Sequence, residues 1–278
     1  MKHLKSRLRD LREIFDHTLT VRHVAEPFLT FDSPRSAREI GAFMRDRDFD
    51  VVGVRRHGMV VGYVKQSELT GETLEDHVTP FEVNLQVDET TPILDTLRLL
   101  RHSPRIFVIV MGHVSGIVTK GDLQKAPVRM YLFGVLSLLE MQFLRLIRNA
   151  FPDDSWQHRL SRKRIGEATE ILVDRRQRNE AIDLADCLQF GDKATIVSKS
   201  RELREALDFP SATSAQVSLK KLQHLRDELA HAQDIVTGKW PELVDLLESA
   251  EKILRLAEEW RSERTGTLAP ASAVDKGP

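Results

Sequence analysis

The chain has 278 residues, of which 41% are hydrophobic and 30% are charged, and its formal net charge is −1. This length and composition are typical of a globular protein with one or two domains. The balanced charge excludes a protein whose whole surface attracts nucleic acid, so any such contact needs a local basic patch.

Cysteine content and hydropathy indicate a cytoplasmic location. The single cysteine, Cys187, excludes an internal disulfide and a cysteine-based zinc cluster, and it favours a reducing compartment. The N-terminus is charged and lacks the apolar core of a signal peptide. The most apolar stretch, residues 130–147, is interrupted by Glu140, Gln142 and Arg145, so we predict no membrane span.

The two ends of the chain are predicted to lie outside the main domains. Residues 1–18 form a predicted helical arm that packs on the next domain, because apolar residues recur on one side at Leu4, Leu8, Leu11 and Phe15. Residues 263–278 have almost no apolar content beyond alanines. We predict that this tail is disordered.

A mixed pattern occurs twice between residues 19 and 127. Each copy, residues 19–74 and residues 75–127, has a short start, a helix, a β-rich run, a glycine turn, a second β-rich run and the start of a helix. Gly58 and Gly112 mark equivalent turns. A period of this size indicates a duplicated supersecondary unit. Because neither copy could bury its sheet face alone, we expect the two to pack as a pseudo-symmetric pair.

A candidate ligand site lies at the end of the second β-rich run of the second copy. Thr119 ends the strand, and Asp122 opens the following helix, so both face one crevice. The Asp122 carboxylate can accept hydrogen bonds from ribose hydroxyls. The Thr119 hydroxyl and the helix N-terminus can hold a phosphate. Asp122 would equally suit a helix N-cap, and both interpretations stay open.

The repeat resembles a tandem pair of CBS domains, a Bateman module. The motif is carried by residues 112–123, which read Gly-His-Val-Ser-Gly-Ile-Val-Thr-Lys-Gly-Asp-Leu, and by the entry turn around Thr79. The resemblance implies a regulatory adenine nucleotide, such as AMP, ATP or S-adenosylmethionine, with its base against apolar strand residues such as Ile109. The first copy departs from the pattern, with Lys65 and Glu68 at the positions of Thr and Asp. Lys65 could reach a phosphate there.

Beyond Pro127 the hydrophobic period becomes helical and remains so. The fold class predicted for the whole chain is therefore α+β, an N-terminal α/β repeat module followed by an all-α helical bundle over residues 128–262. The predicted helical segments are residues 128–150, 155–178, 181–197, 201–207, 218–236 and 242–260.

The predicted helix 218–236 carries a fixed cation, Arg226, and an imidazole, His231. They lie about 140° apart around a helix, and both can lean toward a groove beside the apolar stripe. The arginine can hold a phosphate and the histidine can move a proton. The alternative is a helix whose Arg226 and His231 are solvated or paired with Asp227 and Glu228.

The segment from Arg226 to His231 resembles the signature of HEPN domains in an all-helical region. This resemblance implies a homodimer and, in many members, a metal-independent ribonuclease. His231 would then act as base and acid, Arg226 would stabilise the phosphate charge, and Asp227 would orient one of them. Glu140 would border the cleft between the two subunits of this homodimer. Alternatively, it is an ordinary glutamate on a helix surface. Basic residues could track an RNA backbone or form a solvated face: Arg159, Arg162, Lys163, Arg175, Arg176 and Arg178.

Together these resemblances predict an adenine-nucleotide sensor that regulates a metal-independent ribonuclease acting as a homodimer. We predict no metal site, because no His/Cys set or carboxylate cluster has metal-ligand spacing. The main alternative is a non-catalytic nucleotide sensor and dimerisation scaffold that docks a partner protein or RNA. A weaker alternative is an accessory protein of a nucleotidyl- or phosphoryl-transfer enzyme.

Overall fold

A computed structural model describes Asp10 and residues 13–14, 18–231, 233–235 and 240–266, with side chains up to residue 260. The predicted N-terminal arm, residues 1–18, lies largely outside these residues, as does the tail beyond residue 266. The described chain forms two compact units. The sheet unit contains residues 10–131 and 240–244, and the helical unit contains residues 132–235 and 245–266.

The sheet unit contains seven strands and two α-helices within the described residues. The strands are β1 (Glu26–Pro27), β2 (Thr30–Asp32), β3 (Val51–Arg56), β4 (Met59–Lys65), β5 (Gln86–Asp88), β6 (Arg105–Val110) and β7 (His113–Thr119). The helices are α1 (Ala37–Asp46) and α2 (Ile93–His102).

Two sheets repeat the same arrangement. In the first, β2 runs parallel to β3, and β3 is antiparallel to β4. In the second, β5 runs parallel to β6, β6 is antiparallel to β7, and β1 is added on the outer side of β7. One apolar cluster draws on residues from both sheets: Phe28, Val51, Tyr63, Phe107 and Val114. Neither copy forms this cluster alone.

The glycine turns close two equivalent hairpins. His57 and Gly58 have φ values of 51° and 80°, and Met111 and Gly112 have φ values of 51° and 83°. Two consecutive residues with positive φ form the type I′ turn that matches the twist of antiparallel strands. No atom lies near a Cβ added to either glycine, so the backbone conformation rather than space favours glycine here.

The segments that precede each copy are exchanged between the copies. Residues before β2 pack on the second copy, where the Val21 N–H donates to the Thr91 carbonyl and β1 pairs with β7. Residues before β5 pack on the first copy, where Thr79 and Tyr63 exchange backbone hydrogen bonds of 2.8 and 2.9 Å. The sequence boundary at residues 74/75 therefore does not coincide with the folded halves.

The helical unit contains no strand among its described residues. Its helices are α3 (Ala126–Ala150), α4 (Arg162–Gln177), α5 (Phe190–Lys199), α6 (Arg201–Ala206), α7 (Ala212–Ala230) and α8 (Trp240–Gly266). The boundary between the units falls within α3, after Tyr131. The buried core of this unit includes Leu139, Phe143, Trp156, Ile196 and Leu222.

Several helices begin or end at other residues than predicted, because capping residues determine where they start. Ser211 accepts a hydrogen bond from the Ser214 N–H and caps α7, which begins at Ala212, six residues before the predicted start at residue 218. The same helix ends at Ala230, so the predicted extension to residue 236 is wrong. The predicted start of the helix 181–197 is also wrong. The chain first forms a short 3-10 turn, and a capping box of Gln189 and Asp192 then starts α5.

The last helix begins earlier and ends later than predicted. Trp240 opens α8 two residues before the predicted start at residue 242, and Pro241 occupies the first turn, where its missing N–H is tolerated. The Trp240 indole N–H donates to the Leu100 carbonyl oxygen at 2.9 Å within the sheet unit. The helix continues to Gly266, six residues beyond the predicted helix end at residue 260.

Helix α3 is long and apolar enough to cross a membrane by length and composition alone. However, 56% of its most apolar stretch is buried inside the protein. The core helix of a globular protein has these same properties.

Candidate nucleotide site

The end of β7 brings Thr119 and Asp122 into direct contact. Asp122 Oδ2 accepts hydrogen bonds from the Thr119 backbone N–H at 2.7 Å and from the Thr119 hydroxyl at 3.1 Å. These contacts open a 3-10 helix, Lys120–Gln124, and form a reciprocal capping box. The N-cap is Thr119 and not Asp122, which is the third helical residue of the capping box, and this role occupies one of its two carboxylate oxygens.

The second carboxylate oxygen of Asp122 faces an ammonium group. Lys125 Nζ lies 2.9 Å from Asp122 Oδ1. It also donates to the Val24 carbonyl oxygen at 2.6 Å and to the Glu26 carboxylate. Burial by itself would lower the pKa of Lys125, but the hydrogen bonds to Glu26 and Asp122 outweigh this effect and raise it. Asp122 itself is only 9% exposed.

The exchanged segment Val24–Glu26 is a part of this site that the sequence prediction missed. Its residues reach Asp122 through Lys125, about a hundred positions away in the chain. The predicted bounds assigned the short starting segment of each copy to its own copy, whereas the fold gives it to the other copy.

Ile109 does not lie beside Thr119. In the β6–β7 hairpin Ile109 pairs with Val114, whereas Thr119 pairs with Arg105 at the opposite end. Arg105 and Ile109 are four residues apart on β6, which corresponds to about 13 Å along the strand. Ile109 packs instead against the apolar cluster around Phe107.

Thr79 and Lys65 belong to the corresponding region of the first copy. Thr79 pairs with Tyr63 on β4, and Lys65 ends that strand. Lys65 Nζ lies 2.8 Å from Glu68 Oε1, and this hydrogen bond and charge raise the pKa of Lys65. The predicted ligand residues are therefore divided between two places, with Thr119 and Asp122 in one and Lys65 and Thr79 in the other.

In the helical unit, Arg226 and His231 lie at the C-terminal end of α7. Arg226 is half-exposed, and its Nη1 lies 3.2 Å from Asp227 Oδ1. His231 is exposed and is the residue that follows the last helical position. The predicted placement of His231 inside a continuous helix is wrong, because the chain leaves the helix at this residue with φ −98° and ψ 14°.

Glu140 is the counter-charge of a buried lysine. Lys193 Nζ lies 2.8 Å from Glu140 Oε1 and 2.6 Å from the Leu188 carbonyl oxygen. The Lys193 side chain is only 6% exposed. These contacts tie α3 to α5 and give Glu140 a structural role.

Most of the predicted basic track is paired within the helical unit. Lys163, Arg175 and Arg178 contact carboxylates of Glu167, Glu180 and Asp174, respectively. The Arg159 guanidinium lies 4.2 Å from the centre of the Phe151 ring. Since these cations already have partners, they provide less free positive charge than their number in the sequence suggests. The described residues contain no group of three or more His, Cys, Asp or Glu placed to hold a metal ion.

Comparison with known proteins identifies one part of the chain. Residues 82–129 match the family model of the CBS domain. This stretch of the chain is therefore similar to a CBS domain. This match covers β5, β6, β7, Thr119 and Asp122, but not the exchanged segment that completes the second sheet. No curated protein matches the chain.

Several solved structures are similar to part of the chain. The CBS domain of a bacterial CNNM/CorC family Mg2+ transporter in complex with ATP is 18% identical, and the match covers 42% of this chain and 92% of that chain, with a TM-score of 0.35. CBSX2 in complex with AMP is 21% identical, over 40% and 97% of the two chains, with a TM-score of 0.35. An uncharacterized conserved protein from Pyrococcus horikoshii is 21% identical, over 38% and 90%, with a TM-score of 0.34.

Proposed function

We propose that this protein is an adenine-nucleotide sensor whose CBS domain binds the ligand at Asp122 and Thr119. The observation that supports this proposal is the capped end of β7, where an almost buried carboxylate lies beside an exchanged backbone segment and an ammonium group. Such a carboxylate can accept ribose hydroxyls, and the adjacent backbone offers hydrogen-bonding groups to a base. In this proposal AMP and ATP are the principal candidates, and S-adenosylmethionine is a third.

The sensor proposal includes a transmitting element and an output. Lys125 immediately precedes α3, and the unit boundary lies within that helix. A change at the ligand site would therefore reach the helical unit through a short chain connection. We propose that the helical unit provides the output as a dimerisation or docking module. A tandem CBS pair and a homodimer are parts of this proposal, and light scattering would measure the oligomeric state.

We expect a nucleotide to stabilise the sheet unit against heat. A ligand that binds only the folded state at 100 times its dissociation constant adds about 2.7 kcal/mol to the free energy of unfolding. Thermal unfolding would be followed with AMP, ADP, ATP and S-adenosylmethionine in parallel, with ribose 5-phosphate as the control that lacks a base. An unfolding temperature that none of the four ligands raises would argue against the sensor.

The HEPN-type ribonuclease remains a second proposal, and one observation favours it. Arg226 and His231 are both accessible to solvent near the end of α7, and Asp227 contacts Arg226 as an orienting carboxylate would. Against it, Glu140 neutralises Lys193 and most of the predicted basic track is paired. The non-catalytic sensor is therefore the better supported function.

We expect the purified protein to cleave no RNA in EDTA, with or without AMP. The assay would compare the wild type with His231→Ala and with His224→Ala, which removes an exposed histidine within α7. Cleavage that leaves cyclic phosphate ends and is lost only in His231→Ala would establish the ribonuclease and contradict this expectation.

A further inference from the structure

Lys125 closes the candidate nucleotide site with a saturated set of hydrogen bonds. An ammonium group has three donors, and Lys125 uses them on three different acceptors. These are Asp122 Oδ1 at 2.9 Å, the Val24 carbonyl oxygen at 2.6 Å and the Glu26 carboxylate. The lysine therefore joins the exchanged entry segment to the carboxylate at the end of β7.

The same contacts decide which part of Asp122 a ligand can reach. Asp122 Oδ2 is used by the Thr119 cap, and Oδ1 faces the ammonium. A ribose hydroxyl that approaches Oδ1 must compete with a charge-assisted contact. The side chain of Lys125 is 32% exposed, so its ammonium can move into solvent, and ligand hydroxyls would then take its place beside the almost buried Asp122 carboxylate.

Lys125 also belongs to the start of α3. Its carbonyl oxygen accepts hydrogen bonds from the Val128 and Arg129 N–H groups at 3.2 and 3.3 Å. The side chain and the backbone of one residue thus connect the entry segment, the Asp122 carboxylate and the first turn of α3. A movement of the side chain changes the restraint on this turn.

The first copy lacks this arrangement. The spacing between Gly58 and Gly112 places Gly71 where the second copy has Lys125, and Pro80 where it has Glu26. The cation of the first copy is Lys65, which pairs with Glu68 within its own 3-10 segment. The three-way lysine contact therefore distinguishes the second copy from the first.

We propose that Lys125 is a ligand-displaced latch, which holds Asp122 and the entry segment together until ribose hydroxyls take its place. The inference rests on the proposed nucleotide site and adds its regulation. A ligand that binds only the open form shifts the population toward that form. Its apparent affinity is reduced by the fraction of molecules that are closed. Opening the latch releases the restraint on the start of α3.

Glu26→Gln tests the latch without removing the lysine. This change weakens one of the three contacts of Lys125, so we expect AMP to bind about two- to fivefold more tightly. This range corresponds to the free energy of one partly exposed ion pair. Glu82→Gln removes an exposed carboxylate elsewhere in the sheet unit and should leave the affinity unchanged. Calorimetric titration would measure both affinities.

A double-mutant cycle separates the latch from a general effect of charge. If Glu26 acts through Lys125, Glu26→Gln should have no effect on AMP binding in the Lys125→Met background. Amide hydrogen exchange at Val128 and Arg129, measured without nucleotide, should be faster in Glu26→Gln than in the wild type, because the first turn of α3 is less restrained.

The possible results separate this inference from the proposed function. AMP binding that Glu26→Gln leaves unchanged or weakens would overturn the latch while the nucleotide site stands. Tighter binding that persists in the Lys125→Met background would also overturn it, since the effect would then be long-range repulsion. An absence of AMP binding in all variants would refute the nucleotide site itself, and with it the displacement of the latch by nucleotide.

Discussion

Replacement of Glu140 by alanine is expected to destabilise the helical unit by about 3–5 kcal/mol, the cost of breaking a buried ion pair by removing one partner. The reason is Lys193, whose side chain is 6% exposed and would keep its charge with only the Leu188 carbonyl oxygen as a partner. Chemical denaturation followed by circular dichroism would measure the loss.

A second substitution tests the cause of this loss. Lys193→Met in the Glu140→Ala background removes the uncompensated charge and should restore most of the stability, because an apolar pair can replace a buried ion pair at little cost. Glu170→Ala, at an exposed position on α4, serves as the matched control and should change stability by less than about 0.5 kcal/mol. A Glu140→Ala protein as stable as the wild type would contradict the structural role assigned to this residue.

Replacement of Asp122 by asparagine should weaken AMP binding by about tenfold to a hundredfold. Asparagine keeps an oxygen that can accept from the Thr119 N–H, so the cap and the fold should persist. It loses the negative charge, and a hydrogen bond to a charged group is worth about 1.5–3 kcal/mol. Calorimetric titration of AMP into the two folded proteins would measure the difference.

The control for this experiment is Glu68→Gln, which changes the corresponding carboxylate of the first copy. Glu68 is paired with Lys65 and lies outside the proposed site, so AMP affinity should stay the same. Equal affinity in Asp122→Asn and the wild type would remove Asp122 from the site. A loss caused by Glu68→Gln alone would move the site to the first copy.

Local sequence patterns predicted the elements that depend on local chemistry. The helix predicted at residues 128–150 is observed as Ala126–Ala150, because a wide apolar face and a flanking proline mark it. Gly58 and Gly112 predicted the two hairpin turns because both positions have positive φ. The contact of Thr119 with Asp122 also follows from a short, regular spacing along the chain.

Local sequence patterns could not predict the contacts between distant parts of the chain. Nothing in the local pattern shows that the segment before β2 adds to β7, since the two residues of β1 are too few to show the alternation of a strand. Lys125 was missed because its three acceptors come together only after this exchange. Glu140 was interpreted from its helix alone, whereas its partner Lys193 lies 53 residues away.

The predicted Arg226–His231 pair illustrates a different difficulty. The spacing was interpreted on a helix that continued to residue 236, but α7 ends at Ala230 and His231 lies outside it. Helix ends depend on how the backbone groups of the last turn are satisfied, which here includes the His231 N–H bonded to the Asp227 carbonyl oxygen. The sequence of a short motif near a helix end therefore gives the spacing of its residues along the chain. It does not give the directions of their side chains, because these depend on where the helix ends.

The most direct test of the central claim is a titration of AMP into isotope-labelled protein, followed through the backbone amide resonances. If the nucleotide binds beside Asp122, the largest shifts should fall on residues 24–26 and 119–125, the two segments joined by Lys125. Shifts confined to Tyr63, Lys65–Glu68 and Thr79 would place the ligand in the first copy. Unchanged resonances at saturating AMP would contradict the proposed nucleotide sensor.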